Sequence, residues 1–159
     1  VLRTTDLCDQ YSEELQIAEP LFTYFGGKSL FSGPIATVKV KEDNVLVVEA
    51  LETVPEGSIL VVDGEGSMAC ALLGDRLAGI AVTRGLSGII VHGCVRDTAD
   101  LATMNVGILA LAPMPKKSRK EGKGERDVPV TFAGVTWTPG HWAYIDEDGI
   151  VVSERPLQL

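Results

Sequence analysis

Histidine is almost missing: His92 and His141 are the only two in 159 residues, which argues against a histidine-rich zinc centre. Cysteine is nearly as sparse. Cys8, Cys70 and Cys94 form no C-x-x-C pair, and three cannot all be bridged within one chain. Their neighbours are apolar, so they read as buried free thiols of a reducing compartment, which places the protein in the cytoplasm. An excess of positive charge is also lacking. Lys and Arg total 14 against 22 Asp and Glu, a formal net charge of −8, so nucleic acid is not expected as a direct partner. No apolar run approaches the roughly 20 residues that cross a bilayer, so no membrane span is expected. The opening VLRTTDLCDQYSEEL turns polar too early for a signal peptide. Gly64-Glu65-Gly66 lacks the third glycine and the later acid of a dinucleotide fingerprint, and reads instead as a tight turn.

What is present is an ordinary globular composition, 45% hydrophobic and 23% charged, long enough for one domain (residues 1–159) with a real core. The stretch GDRLAGIAVTRGLSGIIVHGCVRD (74–97) organises the rest. Leu77, Ile80 and Ala81 fall at helical spacing and Gly85 is placed as a C-terminal cap. Gly88 then precedes the apolar run Ile89-Ile90-Val91. A helix start and a strand end can lie side by side when a short helix packs back along the next strand. Asp75, Arg96 and Asp97 would then share one pocket.

Along the chain, Thr4 or Thr5 opens a capped helix with acids in its first turn. Ile35 to Val40 is a strand rich in branched residues; Asn44 to Leu51 fits either a strand or a helix, and the cap Glu42-Asp43-Asn44 with the stop Pro55-Glu56-Gly57 favours the helix. Ser58 to Asp63 is a buried strand, after which Gly64 to Ser67 turns the chain into a helix over Met68–Leu73. A short helix near Thr98–Leu101 and a buried strand over Met104–Leu111 follow. Strands therefore alternate with helices from 58 to 112, the pattern of parallel β-α-β units. From Val128 the runs 128–132, 135–137, 143–145 and 150–152 are short strands separated by turn residues, reading as antiparallel hairpins or a partial barrel. The fold class is α/β, with a parallel β-α-β centre and antiparallel hairpins.

Several residues carry two readings. Arg96-Asp97 follows a buried strand, where α/β sheets bind ligands, yet the pair also suits a surface ion pair, or Asp97 a cap for the TADL segment (98–101). Asp75 reads equally as a capping acid, and the helix start behind it offers free N–H groups to a carboxylate. Asp63 and Glu65 either join this acid cluster or belong to a polar turn. His92 reads first as a packed histidine. Lys116 to Arg126 reads as a solvated loop, or as a mobile one beside a site. Carboxylates with scarce histidine suit a hard divalent cation, Mg²⁺ or Mn²⁺. An arginine suits a small 2-oxo acid, because its planar fork matches carboxylate and carbonyl oxygens. Together they could stabilise the enolate formed when a C–C bond next to pyruvate breaks.

The chain resembles the RraA-like family, which comprises regulators of RNase E activity and 4-hydroxy-4-methyl-2-oxoglutarate aldolases formerly labelled methyltransferases. The likeness lies in TTDLCD (4–9), FGG (25–27), FSGPIATVKVKEDN (31–44), LVVDGEGS (60–67), the central stretch, PKKSRKEGKGERDVPV (115–130) and DEDGIVVSE (146–154). It implies a swivelling β/β/α domain, assembled as a homotrimer. It also implies a metal-dependent aldolase that decarboxylates oxaloacetate, or alternatively a binder of an RNase E-type protein. The lyase members carry an Asp, twenty intervening residues, then Arg-Asp, matched here by Asp75, Arg96 and Asp97. On that resemblance Gly74, Asp75, Arg76, Leu77 and Arg96 would bind substrate and Arg96 would stabilise the enolate. Asp97 would hold the metal, and Asp75 would fix its water shell.

Overall fold

A computed structural model describes residues 2–159. Its centre is four strands of mutually parallel, branched apolar sequence: β3 (Phe31–Lys39), β4 (Ile59–Asp63), β6 (Gly88–His92) and β8 (Gly107–Ala110), side by side in that order. Alternation along these strands feeds two cores. Leu60 and Val62 of β4 and Ile89 and Val91 of β6 face one way, towards Val47, Ala50 and Leu51 of helix α2 (Val45–Thr53) and Leu77, Ala78 and Ala81 of helix α3 (Asp75–Thr83). Ile59, Val61, Ile90 and Leu109 face the other way. There they meet the antiparallel hairpin of β11 (Val130–Phe132) and β12 (Val135–Trp137), where Trp137 is fully buried and donates its indole N–H to Phe132 O at 3.2 Å. Burial on both faces accounts for the near-continuous apolar runs. The layers are therefore hairpin, sheet and helices.

The antiparallel half extends the same sheet. β13 (Trp142–Asp146) pairs with β3 and with β14 (Gly149–Ser153), and β1 (Gln16–Ile17) covers the edge of β14. At the far edge, β2 (Thr23–Tyr24) runs antiparallel to β8; away from that edge, β10 (Glu125–Arg126) pairs with the end of β3. Helix α1 (Thr4–Tyr11) lies over this half, and Leu7 packs with Tyr144, Val151 and Leu157. Thr4 is not its N-cap, as the sequence suggested. It is the first helical residue, and its N–H and hydroxyl both donate to the distant Asp146 carboxylate at 2.7 Å. Asp146 also accepts from Asp148 N–H at 2.9 Å. Burial alone would raise the Asp146 carboxyl, but these donors outweigh it and hold the pKa below the ordinary value.

One expected element is absent. Residues 68–73 do not form a helix; Ala71–Leu73 is a short strand, β5. β5 runs parallel to β7 (Cys94–Val95), and β7 runs parallel to β9 (Ala112–Pro113). The large sheet is thus continued by a small one. β4, β6 and β8 each pass through a break, at 64–70, Gly93 and Leu111, into β5, β7 and β9 in the same lateral order. No helix among the described residues is long and apolar enough to cross a membrane.

Candidate active site

The small sheet is what brings the sequence-distant residues together. Leu73 and Val95 are register partners in adjacent parallel strands, so the residues that follow each, Gly74-Asp75 and Arg96-Asp97, emerge side by side. Arg96 N–H donates to Leu73 O at 2.9 Å, extending the pairing by one residue. The juxtaposition arises from strand pairing rather than from a helix folding back along its strand. It also lies at the carboxyl ends of parallel strands, where α/β sheets bind ligands.

Gly74 is the N-cap of α3, and there is no room for a side chain on it. A Cβ there would lie 2.5 Å from Asp97 Oδ2 and 3.2 Å from Arg96 Cγ. Asp97 Oδ2 accepts a 3.0 Å hydrogen bond from Asp75 N–H, so Asp97 caps α3 across the gap. Its side chain makes no capping bond to the following helix α4 (Thr98–Leu101), although its backbone carbonyl accepts the N–H groups of Asp100 and Leu101. Asp97 holds this position with φ +60°, in the left-handed region. Ala78 N–H makes the first intrahelical bond, to Gly74 O, while the Arg76 and Leu77 N–H groups find no acceptor among the described residues. At the other end of α3, Gly85 takes φ +69° and Leu86 N–H reaches back to Ala81 O at 3.0 Å, the expected glycine stop.

These groups line a cavity of about 140 Å³. Arg96 lines it and donates from Nη1 to Pro115 O at 3.4 Å. All the residues expected from sequence are here: Gly74, Asp75, Arg76, Leu77, Arg96 and Asp97. Asp63 and Glu65 are not; Asp63 Oδ1 accepts from Glu65 N–H at 2.9 Å in a polar turn and sits 3.6 Å from His92 Nδ1. His92 stacks flat on Phe132, with ring centroids 4.6 Å apart, and is a packing residue.

The opposite wall escaped the sequence reading. Asn44, Lys117, Ser118 and Lys120 complete the cavity. The basic loop that supplies three of them is exposed but not loose. Ala71 N–H donates to Lys116 O at 2.8 Å, adding the loop to the free edge of β5, and Asn44 N–H donates to Arg119 O at 3.3 Å. Asp43, itself buried, gathers the N–H groups of Glu121 and Gly122 at 2.8 and 2.9 Å, with Lys123 at 3.4 Å. Burial would raise this carboxyl, but bonds from Val45, Glu121, Lys123 and Gly122 prevail and hold it below its usual pKa. The hint in the sequence was an acid and an amide, Asp43-Asn44, far along the chain from the loop they anchor.

All three thiols are free, Cys70 and Cys94 buried and Cys8 only partly so; burial pushes each upward in pKa. No group of three His, Cys, Asp or Glu side chains that could cage a metal occurs among the described residues. The cavity itself offers two carboxylates, Asp75 and Asp97, with one Asp97 oxygen already engaged. That donor set suits a hard cation that keeps most of its water, not a closed all-protein cage.

A layered α/β domain with its polar cavity at the ends of a small parallel sheet is the class defined by this geometry. Comparison with known proteins gives the family: the chain matches the RraA-like (aldolase/RraA) family over residues 4–152 and belongs to it. It is 57% identical over 155 residues to a Bacillus cereus protein provisionally named a 4-hydroxy-4-methyl-2-oxoglutarate aldolase, covering 98% of each chain. A similarly named protein of Alkalilimnicola ehrlichii is 56% identical, covering 97% of this chain and 96% of its own. Among solved structures, one from Geobacillus kaustophilus, described as an S-adenosylmethionine:2-dimethylmenaquinone methyltransferase, superposes with TM-score 0.97 at 59% identity, over 98% and 97% of the two chains. The RNA-processing inhibitor RraA from Thermus thermophilis superposes with TM-score 0.96 at 47% identity, over 99% and 96%.

Proposed function

We propose that this chain is a divalent-metal-dependent lyase that cleaves 4-hydroxy-4-methyl-2-oxoglutarate into two pyruvates and decarboxylates oxaloacetate through the same pyruvate enolate. The observation that carries the reading is the pairing of Leu73 with Val95, which sets Asp75, Arg96 and Asp97 beside two helix-start amides that have no acceptor among the described residues. The substrate's 1-carboxylate would bind the Arg76 and Leu77 N–H groups, where the helix dipole favours an anion. The Arg96 guanidinium would donate to the 2-oxo oxygen, which becomes negative as the C3–C4 bond breaks and its electron pair moves into the enolate. The C4 hydroxyl loses its proton as the second pyruvate forms, and C3 regains one. Asp75 would orient a water at the mouth of the cavity for these transfers. Asp97 would hold Mg²⁺ or Mn²⁺, with Asp75 fixing its water shell; such an ion supplies Lewis-acid polarisation of the 2-oxo group when bound.

The test is pyruvate release from oxaloacetate with Mg²⁺ or Mn²⁺, repeated with EDTA, against the metal-only background. Turnover is expected to disappear on chelation, and to fall about 10²–10³-fold in Arg96→Ala, the scale of losing an oxyanion donor. Pyruvate release at the metal-only rate from oxaloacetate and from 4-hydroxy-4-methyl-2-oxoglutarate alike would refute the lyase reading. A methyltransferase reading gains nothing from the geometry, since the turn after β4 lacks a nucleotide-binding pattern.

The Thermus likeness, at 47% identity and TM-score 0.96, favours a second reading: a homotrimeric regulator that binds an RNase E-type protein. A net charge of −8 suits a basic partner surface. Asp97→Asn separates the two, because it should abolish turnover and leave surface-mediated inhibition of a ribonuclease unchanged.

A further inference from the structure

The cavity holds more positive charge than one 2-oxo-carboxylate requires. Four cations, Arg76, Arg96, Lys117 and Lys120, line it against two carboxylates, in a chain that is otherwise strongly acidic. Arg96 and the α3 amides account for one end. Ser118 stands on the opposite wall, only 5% exposed, and its hydroxyl has no hydrogen-bond partner among the described residues. A buried hydroxyl left unpaired is costly, and a ligand oxygen would supply the missing partner. Lys120 is held beside it: its ammonium donates to Asn44 Oδ1 at 3.0 Å, and Asn44 Nδ2 is tied to Leu72 O at 3.3 Å. One of three ammonium donors is used in this way, which fixes the head and leaves two for a ligand. The backbone beneath is stapled to β5 and to Asp43, so these groups are pre-positioned.

We infer that Lys117, Ser118 and Lys120 form a second anion subsite that takes the distal carboxylate of a dicarboxylic 2-oxo acid, so that the cavity selects dianions over monoanions. The inference rests on the reading of the α3 start as the 2-oxo-acid end. In aldol cleavage the distal carboxylate stays intact and leaves on the second pyruvate, so holding it with cations does not oppose bond breaking. In oxaloacetate the distal carboxylate must itself depart as CO₂, and its electron pair must pass to C3. Cationic pairing opposes that step, so the subsite favours a five-carbon aldol skeleton over oxaloacetate.

The experiment is calorimetric titration of the full chain, with Mg²⁺ present, comparing 2-oxoglutarate with 2-oxovalerate. The two share a five-carbon 2-oxo skeleton and differ in the distal carboxylate. The unaltered protein is expected to prefer the dianion by about tenfold, the scale of one charge-assisted hydrogen bond, and raised salt should narrow the gap. Lys120→Gln and Ser118→Ala should each shrink the ratio, while Lys120→Arg, which keeps the charge, should retain most of it. Circular dichroism checks that each variant is folded. Equal affinity for the two acids, binding of neither, or an unchanged ratio in Lys120→Gln would overturn the subsite. Pyruvate release from 4-hydroxy-4-methyl-2-oxoglutarate, whose distal carboxylate stays intact, is measured separately and distinguishes the failures. A preference without turnover would refute the lyase and keep the subsite, and turnover without a preference would do the reverse.

Discussion

Asp97 carries two duties that can be separated chemically. Its carboxylate caps α3 through Asp75 N–H, and its charge is the candidate metal ligand. Asp97→Ala should remove both, costing about 0.5–2 kcal/mol of stability as a lost cap along with activity. Asp97→Asn keeps an acceptor oxygen and tolerates the left-handed backbone, so it should melt close to the parent protein while losing turnover. Chemical denaturation beside the oxaloacetate assay checks the pair. Gly74 gives a second test at this scale. Gly74→Ala places a Cβ 2.5 Å from Asp97 Oδ2, so it should lower activity by displacing that carboxylate, without removing a charged group. Turnover equal to the parent's would show that the close packing at Gly74 is unimportant. Asp75, Arg96 and Asp97 were visible in the sequence because charged residues stood at the ends of apolar segments. Lys117, Ser118 and Lys120 were not, because nothing local in a basic, glycine-containing loop says which side chain is buried.

Among elements, the loop from Lys116 to Gly124 depends on Asp43. The folded-state pKa of Asp43 is held below the ordinary aspartate value of 3.8. Its contribution to stability is therefore fully present above that value and lost as pH falls through the lower folded value. Urea unfolding should show Asp43→Asn less stable than the parent at about pH 7, with the difference shrinking towards about pH 3. A pH-independent difference would mean that the hydrogen bonds, not the charge, anchor the loop. Strands β3, β4, β6, β8, β13 and β14 were legible as apolar runs between turn residues, and helices α2, α3 and α4 from their spacing and flanking cap and stop residues, whereas the two-residue strands β1, β2 and β10 were not. β5 was not. Met68 to Leu73 is short and uniformly apolar, so periodicity cannot tell a strand from a helical turn, and its pairing partner lies over twenty residues away. The cap of α1 was misread for the same reason, since Asp146 is more than 140 residues from Thr4.

For the whole molecule, the two cores on either face of one sheet make distinct demands. Trp137, fully buried under the hairpin, closes the core remote from the site. Trp137→Ala should cost about 3–5 kcal/mol, and Trp137→Phe less, by the usual penalty for a cavity in a packed core. Where the protein stays folded, affinity for 2-oxo acids should be unaffected, as read by titration of the folded fraction. The parallel centre and antiparallel half could be read from the chain; the second small sheet, on which the site is built, could not. The cap made by Asp97 has a consequence for how this fold diverges. An asparagine there satisfies the same backbone donor and the same left-handed turn, so a lineage can shed the chemistry through one residue without remodelling its scaffold. Catalyst and bystander would then superpose almost perfectly, and kinship in shape would say little about livelihood. On the proposed reading, occupation would be written in the side chain of Asp97, just beyond β7, and ancestry in everything else.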